Sequence, residues 1–138
     1  LVEEENVLIA NGDTLFEVDL RQMTDFHFKK GAECTLALKP MRNFSRYGIV
    51  ELNDDSSIGR FVEKKPQTEG LINGGVYILH MLSLLRKGFP EEFSFEKDYL
   101  EKYYIEKKIF GFAADKYFID IGVPEDYDRA QIELNRLI

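Results

Sequence analysis

The sequence predicts one α/β domain over residues 1–138, a mixed β-sheet flanked by helices. Helix-period segments alternate with short apolar runs at both ends of the chain, and a hairpin lies between them. The composition agrees, since 44% hydrophobic and 13% aromatic residues in a chain of 138 suffice for a single core.

Each element carries its own signal. Val7–Ala10 is an apolar run closed by Asn11, Gly12 and Asp13, which reads as a buried strand with a turn at its carboxyl end. Asp19–Lys30 places Leu20, Met23 and Phe26 or His27 at helical spacing, and Gly31 stops it. Cys34–Met41 reads as a strand ending near Pro40. Gly48–Leu52 and Ile58–Glu63 alternate around the turn-rich Asn53–Ser57, which is the hairpin. Pro66–Gly70 reads as a loop, and Leu71–His80 as a strand with two glycines near its start. Met81–Lys87 is a short helix ended by Gly88. Phe95–Lys107 is a longer one, with Phe95, Tyr99 and Tyr103 four apart. Ile109–Asp115 and Tyr117–Gly122 are two more strands. Pro124–Leu137 is the last helix: Pro124 suits its first position, Glu125 and Asp126 favour the positive end of its dipole, and Tyr127, Ala130, Leu134 and Leu137 make its apolar face.

Several classes are disfavoured. Net charge is −7 with no basic block, so no nucleic-acid partner is expected. No apolar stretch approaches a membrane span and the acidic start is no signal peptide, so the expectation is a cytoplasmic protein without a membrane partner. Cys34 is the single cysteine and reads as a buried thiol. His27 and His80 lack metal-ligand spacing and read as structural. Neither G-x-x-x-x-G-K-[ST] nor G-x-G-x-x-G occurs, and no serine–histidine–acid arrangement is visible.

The residues that suggest chemistry sit at strand ends beside glycine. Asp13 follows Gly12, and Asp120 precedes Gly122 at the end of an apolar strand, where a buried acid needs a partner. Ligands of open α/β sheets bind off the carboxyl ends of strands. Two carboxylates meeting there suit Mg²⁺, which takes one or two carboxylates plus substrate phosphates. Asn–Gly–Asp is also ordinary turn chemistry, and Asp120 also suits a salt bridge or a helix cap. Glu63 and Lys64 end the hairpin's second strand, where Lys64 suits a phosphate and Glu63 a sugar hydroxyl; a solvated charge cluster is the plainer reading. Asn73 precedes Gly74 and Gly75 in an apolar strand, which marks a bulge or a close approach to a ligand, with donor and acceptor both free for a hydroxyl. Tyr47–Gly48 opens the hairpin and reads as a turn or a similar approach.

Six blocks, NGDTLFEVDL, YGIVEL, FVEKK, INGGVYIL, FSFEKDYLEK and YFIDIGVPEDY, resemble in order and spacing the sugar-1-phosphate nucleotidylyltransferase family. The likeness is strongest to its guanylyl-transferring branch for heptose and mannose 1-phosphates. It implies a Rossmann-like nucleotide-diphospho-sugar transferase fold. It also implies a reaction in which a sugar 1-phosphate and a nucleoside triphosphate give an NDP-sugar and pyrophosphate. By the same resemblance, Asp13 and Asp120 are the Mg²⁺ ligands, Lys64 contacts the sugar phosphate, and Gly48, Glu63 and Asn73 line the sugar pocket; Lys64, Asp13 and Asp120 form the catalytic set. The family's opening G-G-x-G-T-R-L loop and base-reading segment have no counterpart here. The chain therefore reads as a fragment lacking the N-terminal nucleotide-binding unit, inactive alone, with an open edge near Val7–Ala10 that favours a homo-oligomer. Two rival readings are a non-catalytic sugar-nucleotide-binding or regulatory protein of the same fold, and a glycosyltransferase. The latter needs a close Asp pair, and Asp54–Asp55 sits in the hairpin turn.

Overall fold

The computed structural model describes residues 5–122 and 124–137, with side chains through Asn135. Its centre is a four-stranded mixed sheet. Asn6–Ala10 (β1) and Cys34–Phe44 (β3) both run antiparallel to Gln67–His80 (β6), and Ile109–Ala113 (β7) runs parallel to β3, giving the order β1-β6-β3-β7. Both faces are buried. Cys34, Leu36 and Leu38 alternate with Thr35 and Ala37 along β3, as Tyr77 and Leu79 do with Val76 and Ile78 along β6. The cluster on one face includes Val50 and Ile58 of the hairpin Ile49–Leu52 (β4) and Ile58–Val62 (β5), with Tyr99 and Leu100. The cluster on the other includes Phe16, Met23 of helix Leu20–Lys30 (α1), and Phe118.

Local chemistry accounts for the helix bounds. Asp19 caps α1 by accepting from the Gln22 amide at 3.1 Å, and Gly31 closes it in the left-handed region at φ 59°. Met81–Leu85 (α2) is followed by Gly88 at φ 67°. Pro124–Leu137 (α4) packs on the sheet side through Ala130, but Tyr127 is exposed and Leu134 half-buried, so its apolar face is narrower than the spacing suggests. The Leu137 side chain lies outside the described residues.

Four expectations are corrected. First, β3 runs past Pro40 to Phe44. Its pairing with β7 ends at Leu38, so from Lys39 onward it has one open side, and an open-sided strand tolerates proline. Second, Pro66–Gly70 is not all loop, because Gln67, Glu69 and Gly70 pair with Phe44, Arg42 and Met41 of that extension. Third, the long helix is composite: π-helical over Phe95–Leu100, α-helical over Glu101–Tyr103 (α3), then 3₁₀ over Tyr104–Glu106, ending on Lys107 at φ 59°. Its aromatic spacing still points inward, with Tyr99 fully buried. Fourth, a strand invisible to periodicity, Thr14–Phe16 (β2), pairs antiparallel with Phe118–Asp120 (β8). The expected open edge is present: β1 has only β6 beside it among the described residues, and Leu8 is exposed.

The β2 segment reaches its place because Gly74 leaves room. A Cβ at Gly74 would lie 2.2 Å from the Phe16 ring, and Gly75 holds φ +80°. Gly74→Ala is expected to destabilise the domain by about 1–3 kcal/mol through this overlap, read as a lower denaturant midpoint.

His27 is buried, with Nε2 donating to Asn6 Oδ1 and Nδ1 facing the Thr35 hydroxyl, both at 2.8 Å. Burial, then the charge of His80, lower its pKa below the ordinary 6.5. The unfolded chain therefore takes up this proton first as pH falls. The stability contributed by neutral His27 is complete above 6.5 and is lost below it, down to the folded value. Thermal melts from pH 7.5 to 5.5 should show a falling midpoint, and His27→Gln should flatten that slope.

Candidate functional site

The short β2–β8 ladder builds the site. Its register pairs Thr14 with Asp120, Leu15 with Ile119 and Phe16 with Phe118. The Phe16 and Phe118 rings meet edge to face at 5.8 Å, and the Ile121 amide donates to the Asp13 carbonyl at 2.8 Å. Asp13 and Asp120 are thereby brought side by side. A Cβ on Gly122 would lie 3.0 Å from Asp13 Oδ2 and 3.0 Å from Asp120 Oδ1. The two oxygens thus flank one small space that glycine leaves open.

Asp120 is half-buried at the end of β8, rather than sealed in the strand as its apolar neighbours imply. Its partners are neutral donors. The Gly122 amide donates to Oδ1 at 2.8 Å, and the Tyr47 hydroxyl donates to Oδ2 at 3.1 Å. Burial, followed by the Asp120 charge, pushes the Tyr47 phenol well above its ordinary range, so it remains the donor. Arg46, next in the chain, makes a two-pronged pair with Glu125 of α4 at 2.8 and 2.9 Å. This pair and the Tyr47 bond tie the loop before β4 to the turn after β8.

All six expected site residues border two adjoining cavities. The first, about 490 Å³, is lined by Asp13, Asp120, Gly122, Arg46 and Tyr47. The second, about 530 Å³, holds Glu63 and the apolar side chains of Val50, Phe61 and Leu100. Gly48, Lys64, Asn73 and Glu96 border both. Asn73 departs from expectation, since its Oδ1 accepts from the Gly75 amide and its Nδ2 donates to the Tyr77 hydroxyl, each at 2.9 Å. It shapes the bulge in β6 and keeps one N–H for a ligand. Asp55 accepts from the Ser57 amide at 2.9 Å and is a turn residue, as expected.

Sequence reasoning missed Arg46, which has no local signal, and Glu96, whose block was read for aromatic spacing and family resemblance without a role for this residue. Among the described residues no three His, Cys, Asp or Glu side chains gather around one point, so the carboxylate pair stands as a two-ligand arrangement. No helix among them is long and apolar enough to cross a membrane.

An acidic pair, a lysine and an arginine thus line one cavity off the strand ends of an α/β sheet. The chain belongs to the nucleotidyl transferase family, whose profile matches residues 1–136. It is 53% identical over 135 residues to D-glycero-α-D-manno-heptose 1-phosphate guanylyltransferase of Aneurinibacillus thermoaerophilus, covering 98% of this chain and 58% of that protein. It is 34% identical over 122 residues to mannose-1-phosphate guanyltransferase of Schizosaccharomyces pombe, covering 86% of this chain and 33% of that one. The crystal structure of HddC from Yersinia pseudotuberculosis complexed with GMP-PN matches with a TM-score of 0.82 at 31% identity, over 96% of this chain and 57% of that one. The chain thus spans a little over half the length of the heptose enzyme and of HddC.

Tyr47→Phe removes the bond to Asp120 without changing ring packing against Phe118. The expected cost is about 1 kcal/mol by denaturant unfolding. In a double-mutant cycle with Asp120→Asn, the two losses should fall short of adding, because they share one interaction.

Proposed function

We propose that this chain is the sugar-phosphate- and metal-binding part of a sugar-1-phosphate guanylyltransferase. That enzyme joins GTP to a heptose or mannose 1-phosphate and releases pyrophosphate. The observation that carries the reading is the space at Gly122 between the Asp13 and Asp120 carboxylates, opening on a cavity bordered by Lys64. The printed activities of the heptose and mannose relatives, and the nucleotide analogue bound to HddC, support the choice of reaction.

The residues fit a hard divalent cation. Two carboxylate oxygens flank a gap that a Cβ would fill, and the adjoining cavity leaves room for phosphate oxygens as further ligands. Bound there by Asp13 and Asp120, Mg²⁺ would supply charge neutralisation for the phosphates. The chain's own residues do the positioning. Lys64 holds the sugar phosphate. Glu63, the backbone at Gly48 and the remaining N–H of Asn73 orient the sugar. In the reaction a phosphate oxygen of the sugar 1-phosphate bonds to the α-phosphorus of GTP, and the bond from that phosphorus to the bridging oxygen of pyrophosphate breaks. Two anions must approach in line, so positioning and electrostatics carry the rate and no side-chain nucleophile is required. The chain spans a little over half the length of the heptose relative and of HddC, and the triphosphate is left to the remainder of such a protein.

The test is pyrophosphate release from GTP, Mg²⁺ and heptose or mannose 1-phosphate by the protein as its gene encodes it. Lys64→Ala should raise KM for the sugar 1-phosphate roughly tenfold to hundredfold and leave KM for GTP within about twofold. Residues 1–138 alone should release none. Turnover by the short chain at the rate of the whole protein would overturn the placement of the nucleotide. No turnover by the whole protein would favour a binding role.

A further inference from the structure

We infer that Glu96 is a sugar-binding residue, whose carboxylate accepts from ring hydroxyls at the junction of the two cavities and so contributes to the choice of sugar. The inference rests on the reaction proposed above, but none of the residues assigned to that reaction is Glu96.

Position comes first. Four residues border both cavities, and three of them, Gly48, Lys64 and Asn73, are already placed against the sugar phosphate by the proposed reading. Glu96 is the fourth. It shares both cavities with Asn73, whose Nδ2 donates to the Tyr77 hydroxyl at 2.9 Å. Burial raises the Tyr77 phenol to about 12, the Asn73 bond opposes that rise, and the negative charge of Glu96 adds to it.

The backbone fixes this placement. Ser94 caps the helix by accepting from the Lys97 amide at 3.1 Å, and its own amide donates to Asp98 at 2.8 Å. Phe95 packs on Tyr77 at 4.9 Å between ring centres. Tyr99 is fully buried and donates to Glu33 at 2.9 Å, while Glu33 also holds Lys87 at 2.7 Å. With residues 95, 99 and 100 directed into the core, the π-helical turn presents Glu96 at the cavity mouth and leaves it exposed. Single π-helical turns within helices are frequent at functional sites.

Charge decides what Glu96 meets. Glu96 borders the first cavity as well, with Lys64, Arg46 and the Asp pair, but a carboxylate repels a phosphate, so its role is assigned to the sugar. It accepts but does not donate, and the neutral donors that a sugar phosphate carries are its hydroxyls. Glu63 borders the second cavity as well, so the sugar lies between two acceptors. Two acceptors at fixed positions select hydroxyl stereochemistry, because a hydroxyl that points away leaves a carboxylate unpaired.

The test uses the protein as its gene encodes it, with Glu96→Ala and Glu96→Gln. Calorimetric titration with heptose 1-phosphate, mannose 1-phosphate and their monodeoxy analogues reads binding apart from turnover. Loss of a hydrogen bond to a charged acceptor should weaken sugar 1-phosphate binding roughly tenfold to hundredfold, with GTP binding unchanged within about twofold. One deoxy analogue should bind the wild type as weakly as the full sugar binds Glu96→Ala, and should lose nothing further in that variant. Unchanged sugar affinity in both variants, or equal loss with every analogue, overturns the inference. Glu96-dependent sugar binding without pyrophosphate release would retain Glu96 and remove the proposed reaction. Turnover with binding indifferent to Glu96 would do the reverse. A wild type that neither binds nor turns over any of these sugars overturns both.

Discussion

Three residue pairs between β2 and β8 hold the site together. A strand's side chains alternate between faces, so a slip of one residue in this ladder would turn Asp120 away from Thr14 and carry it off the cavity. So short a ladder has little stability of its own. It is anchored from below by the Phe16–Phe118 edge contact and by the absence of a side chain at Gly74, and from above by the bond of Ile121 to Asp13. The large sheet acts as a platform, and the carboxylate pair rests on the small ladder laid across it.

What the sequence reveals follows element size. The strands of the central sheet and α1 were legible because each has a run of apolar residues or a capped period. Both corrections along β3 and β6 have one cause. Pro40 and the segment Gln67–Gly70 look like breakers in isolation, but they pair with each other's neighbours in a two-stranded extension that no local pattern encodes. β2 was missed because Thr14–Phe16 is too short to show a period. The site was legible through its glycines: at Gly74 and Gly75 another atom comes too close for a Cβ, and at Gly122 a Cβ would crowd both carboxylates. Asn73 was noticed but misassigned in part, because its side chain spends two bonds within the bulge. Arg46 left no trace, since its partner Glu125 is remote in sequence.

The site's charge is arranged in zones. The protein carries −7 overall, and among the described residues three carboxylates, Asp13, Asp120 and Glu96, border the first cavity with Lys64 and Arg46 against them. Arg46 is already engaged by Glu125, leaving Lys64 as the less committed cation. Under the proposed reading such a cavity would admit an anionic ligand only together with a divalent cation. Order of binding is then a matter of electrostatics as much as of shape. The split between a charged cavity and an adjoining one with apolar walls also matches a ligand with an ionic head and an amphipathic ring.

Asp13 lies near the start of the described chain and Asp120 near its end, with β3, β6 and β7 of the central sheet between them in sequence. Closing that distance costs loop entropy, and the cost is met only after β3, β6 and β7 have assembled into a surface on which β2 can lie. Contacts of such separation carry a high entropy cost of closure. A chain that has built its core but not joined its ends has a sheet, a hairpin and a composite helix, yet no paired carboxylates. The carboxylate pair is thus coupled to the whole platform, and a lesion anywhere in that platform can part the two acids without touching them.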